Sequence, residues 1–131
     1  MKPCFLNVDL EITSASKLDA VIAEMGQRVI VLHSGPAAAR KKRLLVLESS
    51  QQHGGPDSTI NALCSVIEAL SPAARRMLDS ARKEFDIGYE LRASGRLSRF
   101  RLRPDTLDRV ARLGAALAVS YCRGQCDDGA K

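Results

Sequence analysis

Aromatic side chains are nearly absent: they make up 4% of the 131 residues, with three Phe, two Tyr and no Trp. The core must therefore be built from Leu, Val, Ile and Ala. Neither a carbohydrate-stacking surface nor a single-stranded nucleic-acid platform is expected, because both depend on exposed rings. Histidine is scarce as well; His33 and His53 are the only two, and neither has a Glu or His at metal-helix spacing. The cysteines at 4, 64, 122 and 126 form no dense framework. Cys122 and Cys126 make a C-x3-C pair with no second pair, so no metal site is expected, and reduced thiols fit a cytoplasmic chain. Cys4 and Cys122 would come close if the terminal strands paired. No nucleophile elbow, no Walker-type loop and no dinucleotide fingerprint occurs. No apolar run is long enough to cross a membrane as a helix. The opening residues MKPCFLNVDLEI lack an apolar h-region, so no secretory signal is expected. No cofactor is implied.

What the chain does have is ordinary for a globular protein: 45% hydrophobic residues, 27% charged residues and a net charge of +5. One domain over 1–124 is expected, followed by a polar tail at 125–131. A domain of this size buries roughly two-thirds of its unfolded surface, enough for a core without staples. The basic balance admits anionic partners but is mild for a nucleic-acid binder.

The element pattern is legible. Residues 5–12, FLNVDLEI, alternate, with Leu6, Val8, Leu10 and Ile12 on one face and Phe5, Asn7, Asp9 and Glu11 on the other. Ser16, three residues before Asp19, predicts a helix start, with Leu18, Val21, Ile22 and Met25 as its stripe and Gly26 as its stop. Residues 28–33, RVIVLH, predict a covered, central strand. Residues 44–48 predict another strand, and a helix is expected over 59–70, capped by Asp57 or Ser58. Ser71-Pro72 then opens a further helix running to about residue 83. Residues 85–91 predict a strand with Asp86, Gly88 and Glu90 outward. A turn at Ala93-Ser94-Gly95 leads to a strand over 97–103, with Arg99, Arg101 and Arg103 on one face. A helix capped by Asp105 and a strand over 116–122 follow.

Two segments match. Leu18, Asp19, Val21, Gly26 and Gly35 align with Leu107, Asp108, Val110, Gly114 and Gly124. The expected fold is therefore α+β, a two-layer sandwich. Its mixed, largely antiparallel sheet carries helices on one face, in pseudo-duplicated strand–helix–strand units, a ferredoxin-like variant. The helix-free face would collect Asn7, Asp9, Glu11, Asp86 and Glu90 together with Arg99, Arg101 and Arg103. Its plainest use is cross-strand ion pairing; its functional use is an Arg-lined surface for an acidic partner. The basic run Arg40, Lys41, Lys42 and Arg43 is a solvated loop, or a contact to nucleic-acid backbone.

The stretch FRLRPDTLDRVARLGAALAVSYC (100–122), with Gly35, the paired helices, and Leu113, Gly114 and Tyr121, resembles a bacterial domain-of-unknown-function family, the one numbered forty-two seventy-nine. The resemblance implies this fold and a cytoplasmic bacterial setting. It transfers no catalytic residues, and some relatives look like partner-binding or toxin-neutralising proteins. The third strand, Leu44 to Glu48, lacks the Trp that the family often carries there. The expectation is a non-catalytic binding module that engages a protein partner or forms a homodimer, with no membrane attachment. The alternatives are a basic nucleic-acid-binding or regulatory protein, and a small-ligand sensor or enzyme with a pocket between the repeats.

Overall fold

The computed structural model describes residues 2–37, 42–51, 53–92 and 99–123. Strands β1 (Lys2–Ser14), β2 (Val29–Pro36), β3 (Arg43–Ser49), β4 (Arg82–Arg92) and β5 (Ala115–Arg123) form one sheet in the order β2-β3-β1-β4-β5. Helices α1 (Asp19–Met25), α2 (Pro56–Glu68), α3 (Pro72–Asp79) and α4 (Pro104–Arg112) contribute their buried residues to a single core against one face of that sheet. The fold is α+β with two layers, as the alternation of periods 2 and 3.6 requires.

β3 lies antiparallel to both β1 and β2, so β1 and β2 are parallel and split by β3. With β4 antiparallel on the other side of β1, this is the split β-α-β arrangement of ferredoxin-like folds. β5 extends the sheet parallel to β4, which requires a crossover, and α4 supplies it. The two matching segments each fold as helix then strand, and Gly26 (φ +59°) and Gly114 (φ +67°) both take left-handed φ where the helix stops. Their surroundings differ. β2 is separated from β1 by β3, whereas β5 lies directly beside β4.

The core consists of Val8, Leu10, Ile12, Leu45, Leu47, Phe85 and Ile87 from the sheet. Against them pack Val21, Met25, Ile60, Leu63, Cys64, Ile67, Leu78 and Val110. Each such side chain contributes about 1.5–3 kcal/mol when withdrawn from water. Burial pushes the Cys64 thiol up to about 11, which leaves it an inert packing group.

Several local expectations are corrected. Leu6 is 47% exposed because a bulge between Phe5 and Asn7 shifts the alternation, so Phe5 turns toward the core instead. α1 begins at Asp19 and not at Ser16, whose N–H bonds the Ser14 hydroxyl at 3.1 Å. β2 is an edge strand, and Ile30, Val31 and Leu32 are 40–49% exposed rather than covered. α2 starts at Pro56 with Gly55 as its cap residue, and the Gly55 carbonyl accepts the Thr59 hydroxyl at 2.7 Å. α3 has the expected Ser71 cap, with the hydroxyl accepting the Ala74 N–H. It ends at Asp79 and not near residue 83, because Lys83 is drawn into β4. The Lys83 ammonium is buried there and donates to the Leu78 and Ala81 carbonyls at 2.6 and 3.1 Å.

The largest correction concerns the expected strand over 97–103. Residues 99–103 form no strand but a coil leading into α4. Phe100 and Leu102 bind this coil down, Phe100 on Phe5 and Tyr89 and Leu102 on the core. The start of that expected strand, the turn at 93–95 and the tail at 125–131 lie outside the described residues. The coil is also tied at its end. Asp57 Oδ1 accepts the Arg103 N–H at 2.8 Å and the Thr106 hydroxyl at 2.7 Å, so a side chain from α2, and not Asp105, satisfies the start of α4. Further along, Arg109 holds Glu68 through two bonds of 2.7 and 3.1 Å, and also reaches Asn61 and Ser65, which fastens α4 to α2.

Candidate functional site

The helix-free face is built by register. β1 and β4 pair Asp9 with Asp86 and Glu11 with Glu84, directly opposite one another. β3 adds Glu48 from the other side; the Asn7 amide donates to Asp9 at 3.0 Å and to Glu48 at 3.3 Å. Gly88 stands opposite Asn7, and a Cβ there would lie 2.9 Å from Asn7 Oδ1, so this glycine makes room for the amide. On β5 the Ser120 hydroxyl donates to Asp86 at 2.7 Å.

Like charges placed directly across a strand pair destabilise it, and here two such pairs are adjacent. Among the described residues, no Lys or Arg forms an ion pair with Asp9, Glu11, Glu48, Glu84 or Asp86; the ion pairs are Arg109–Glu68 and Arg112–Asp108. Arg82 stands at the far end of the row, opposite Thr13. The consequence shows in Asp9. Burial, and then the charges of Glu48, Asp86 and Glu11, push its pKa from 3.8 up to about 6. Glu11 is also raised, by burial first and then by Asp86 and Glu84.

A cleft of about 610 Å³ opens beside this row. One wall is the bulged part of β1, from Phe5 to Val8; the other is Glu48 and Ser49 of β3, with Gln51, His53, Gly54 and Thr59 beyond. The volume lies in the range of ligand-binding clefts. The cleft exists because β3 ends at Ser49 and the chain turns away. The Ser50 N–H bonds the Arg28 carbonyl at 3.0 Å, and the Gln51 N–H bonds the Ser49 hydroxyl at 3.3 Å. Ser49 Oγ and His53 Nε2 are 3.5 Å apart, beyond the ~2.6–3.2 Å span of an activated nucleophile and its base.

The expected site residues are dispersed. Asp9 and Glu11 are on the helix-free face as expected. Glu90 has the right register, opposite Cys4 and Cys122, but is 1% exposed and buried rather than open. Because β4 lies between β1 and β5, Cys4 and Cys122 are kept one strand apart. Arg99, Arg101 and Arg103 are exposed on the coil and not on the sheet, so the surface expected to be Arg-lined is acidic. Arg40 and Lys41 lie outside the described residues; Lys42 is exposed, and Arg43 opens β3 opposite Ser14 and Pro36.

Sequence reasoning passed over Glu48, Glu84, Ser49 and Thr59. The i, i+2 carboxylates Glu84 and Asp86 mirror Asp9 and Glu11 and were available as a signal. Phe5, Tyr89, Phe100 and Tyr121 form one cluster with ring centroids 5.4–6.1 Å apart at the cleft end of the sheet.

Among the described residues no group of His, Cys, Asp and Glu is arranged to hold a metal ion, and no helix is long and apolar enough to cross a membrane. Compared with protein-family models, with curated proteins and with solved structures, the chain has no match.

Proposed function

We propose that this chain is a non-catalytic binding module that engages a positively charged protein partner at the cleft beside β1 and along the acidic row that borders it. The reading keeps the expected use of a sheet surface and reverses the expected sign of its charge. One observation carries it: two directly opposed carboxylate pairs, Asp9–Asp86 and Glu11–Glu84, stand without an ion-pair partner among the described residues, beside an open cleft. A sequence that breaks a pairing rule at one place while obeying it elsewhere does so where function asks for it. The resemblance to the family numbered forty-two seventy-nine adds only that no catalytic residue carries over.

The test is a titration of the ¹⁵N-labelled protein with octalysine, with octaglutamate and a short RNA as controls. Octalysine is expected to move the amides of Phe5 to Glu11, Glu84 to Gly88 and His53, with affinity falling roughly tenfold between low and physiological salt. Replacing Asp9, Glu11, Glu84 and Asp86 by their amides removes the effect. If RNA binds at Arg99 to Arg103 while octalysine leaves the cleft unmoved, the proposal is wrong.

A further inference from the structure

One wall of the cleft is a strand edge. β4 pairs with β1 from Lys2 to Thr13, interrupted only by the bulge at Leu6, but β3 pairs only with Leu10 to Ser14. Among the described residues no strand lies against Cys4 to Asp9 on the β3 side. This leaves ~20 Å of ladder edge open, at about 3.3 Å per residue. Its outward N–H and C=O groups need partners, and an extended peptide is the partner that supplies them in register.

The side chains along this edge sort into two kinds. Asn7 and Asp9 face the helix-free side with Glu48 nearby, while Phe5 and Val8 face the core side with Thr59 across the cleft. A strand laid beside β1 places alternate side chains on these two sides. One set would meet carboxylates, the other apolar walls.

Resting on the proposed reading of the cleft as a partner site, we infer that the Cys4–Asp9 edge of β1 takes up an extended peptide segment as an added strand. The segment carries Lys or Arg at alternate positions toward Asp9 and Glu48, with apolar residues between them toward Phe5 and Val8. The main-chain ladder supplies affinity, and the alternation supplies specificity.

The experiment uses the full chain and an eight-residue peptide alternating lysine and valine, with two isomers N-methylated at the odd or the even backbone nitrogens. The parent peptide should slow amide exchange at alternate residues of Cys4 to Asp9 at least tenfold at saturation. One methylated isomer should bind at least tenfold more weakly than the parent, and the other as well as the parent, because only one edge of the peptide enters the ladder. If both isomers bind as well as the parent, strand addition is refuted while a cationic partner site survives. If no peptide perturbs the cleft, the partner-site reading falls with it. If the cleft amides respond to protein concentration without peptide, the occupant is a second copy and the inference is overturned.

Discussion

Replacing Asp9 by Asn should stabilise the protein at neutral pH and leave it unchanged in acid. Asp9 faces Asp86 directly, with Glu48 and Glu11 close by, and its pKa is pushed from 3.8 up to about 6. Raised in the fold above its unfolded value, the group favours the native state fully below pH 3.8. That contribution is lost as pH rises through about 6, where the native carboxyl ionises against its neighbours. At ~1.36 kcal/mol per pH unit the shift sets a ceiling of about 3 kcal/mol. The carboxyl is only half-buried and solvent screens its neighbours, which brings the expected gain down to ~1 kcal/mol. Asn retains an acceptor for the Asn7 amide, which bonds Asp9 at 3.0 Å, so little is lost in exchange. Urea unfolding of wild type and Asp9→Asn at pH 8 and pH 3 measures the effect, and a gain of ~1 kcal/mol corresponds to roughly 4 °C in Tm for a domain of this size. A variant no more stable than wild type at pH 8, or a gain equally large at pH 3, would refute the account of the acidic row.

Octalysine binding should strengthen between pH 5 and pH 7.5 as Asp9 ionises, with protons released on binding; calorimetry in buffers of differing ionisation enthalpy measures them, and uptake instead of release contradicts the site. Gly88→Ala should drive the Asn7 amide off Asp9 and Glu48, because the new methyl would come within 2.9 Å of Asn7 Oδ1. The expected loss is about 1 kcal/mol, with displaced Asn7 side-chain amide resonances as the signature. Arg109→Ala should cost about 1–2 kcal/mol, since it unfastens α4 from Glu68, Asn61 and Ser65 on α2. Arg112→Ala, which removes a pair with Asp108 whose Arg side chain is 79% exposed, should cost less than ~0.5 kcal/mol by the same denaturation assay.

Much of the fold was legible because it is written in local periodicity. Val8, Leu10 and Ile12 alternate into the core, the α2 stripe Ile60, Leu63, Cys64 and Ile67 is buried as its spacing requires, and Ser71 caps α3 as predicted. The candidate site was legible only in part. Their alternation puts Asp9 and Glu11 on the correct face, but LSRFRLR alternates just as perfectly and predicts a strand that would carry Arg99 to Arg103. Tertiary packing overrode that period. Phe100 found Phe5 and Tyr89, Asp57 took the Arg103 amide, and the segment became the lead into α4. RVIVLH predicts a central strand for a related reason. An apolar run records burial in general, not position in a sheet, and β2 is an edge strand whose Ile30, Val31 and Leu32 remain exposed.

By itself the chain determined most of the strands and helices and which side of each seeks the core, because side-chain alternation and helical spacing are properties of neighbouring residues; the segment over 99–103 and the bulge after Phe5 are the exceptions. Only the tertiary structure decided that β4 would lie beside β1 with carboxylate opposite carboxylate, and that β3 would stop short and leave half of β1 without a strand on that side among the described residues. Strand order and register are set by contacts between residues far apart in sequence, so the charge of the exposed face and the unpaired edge beneath it are properties of the assembled sheet.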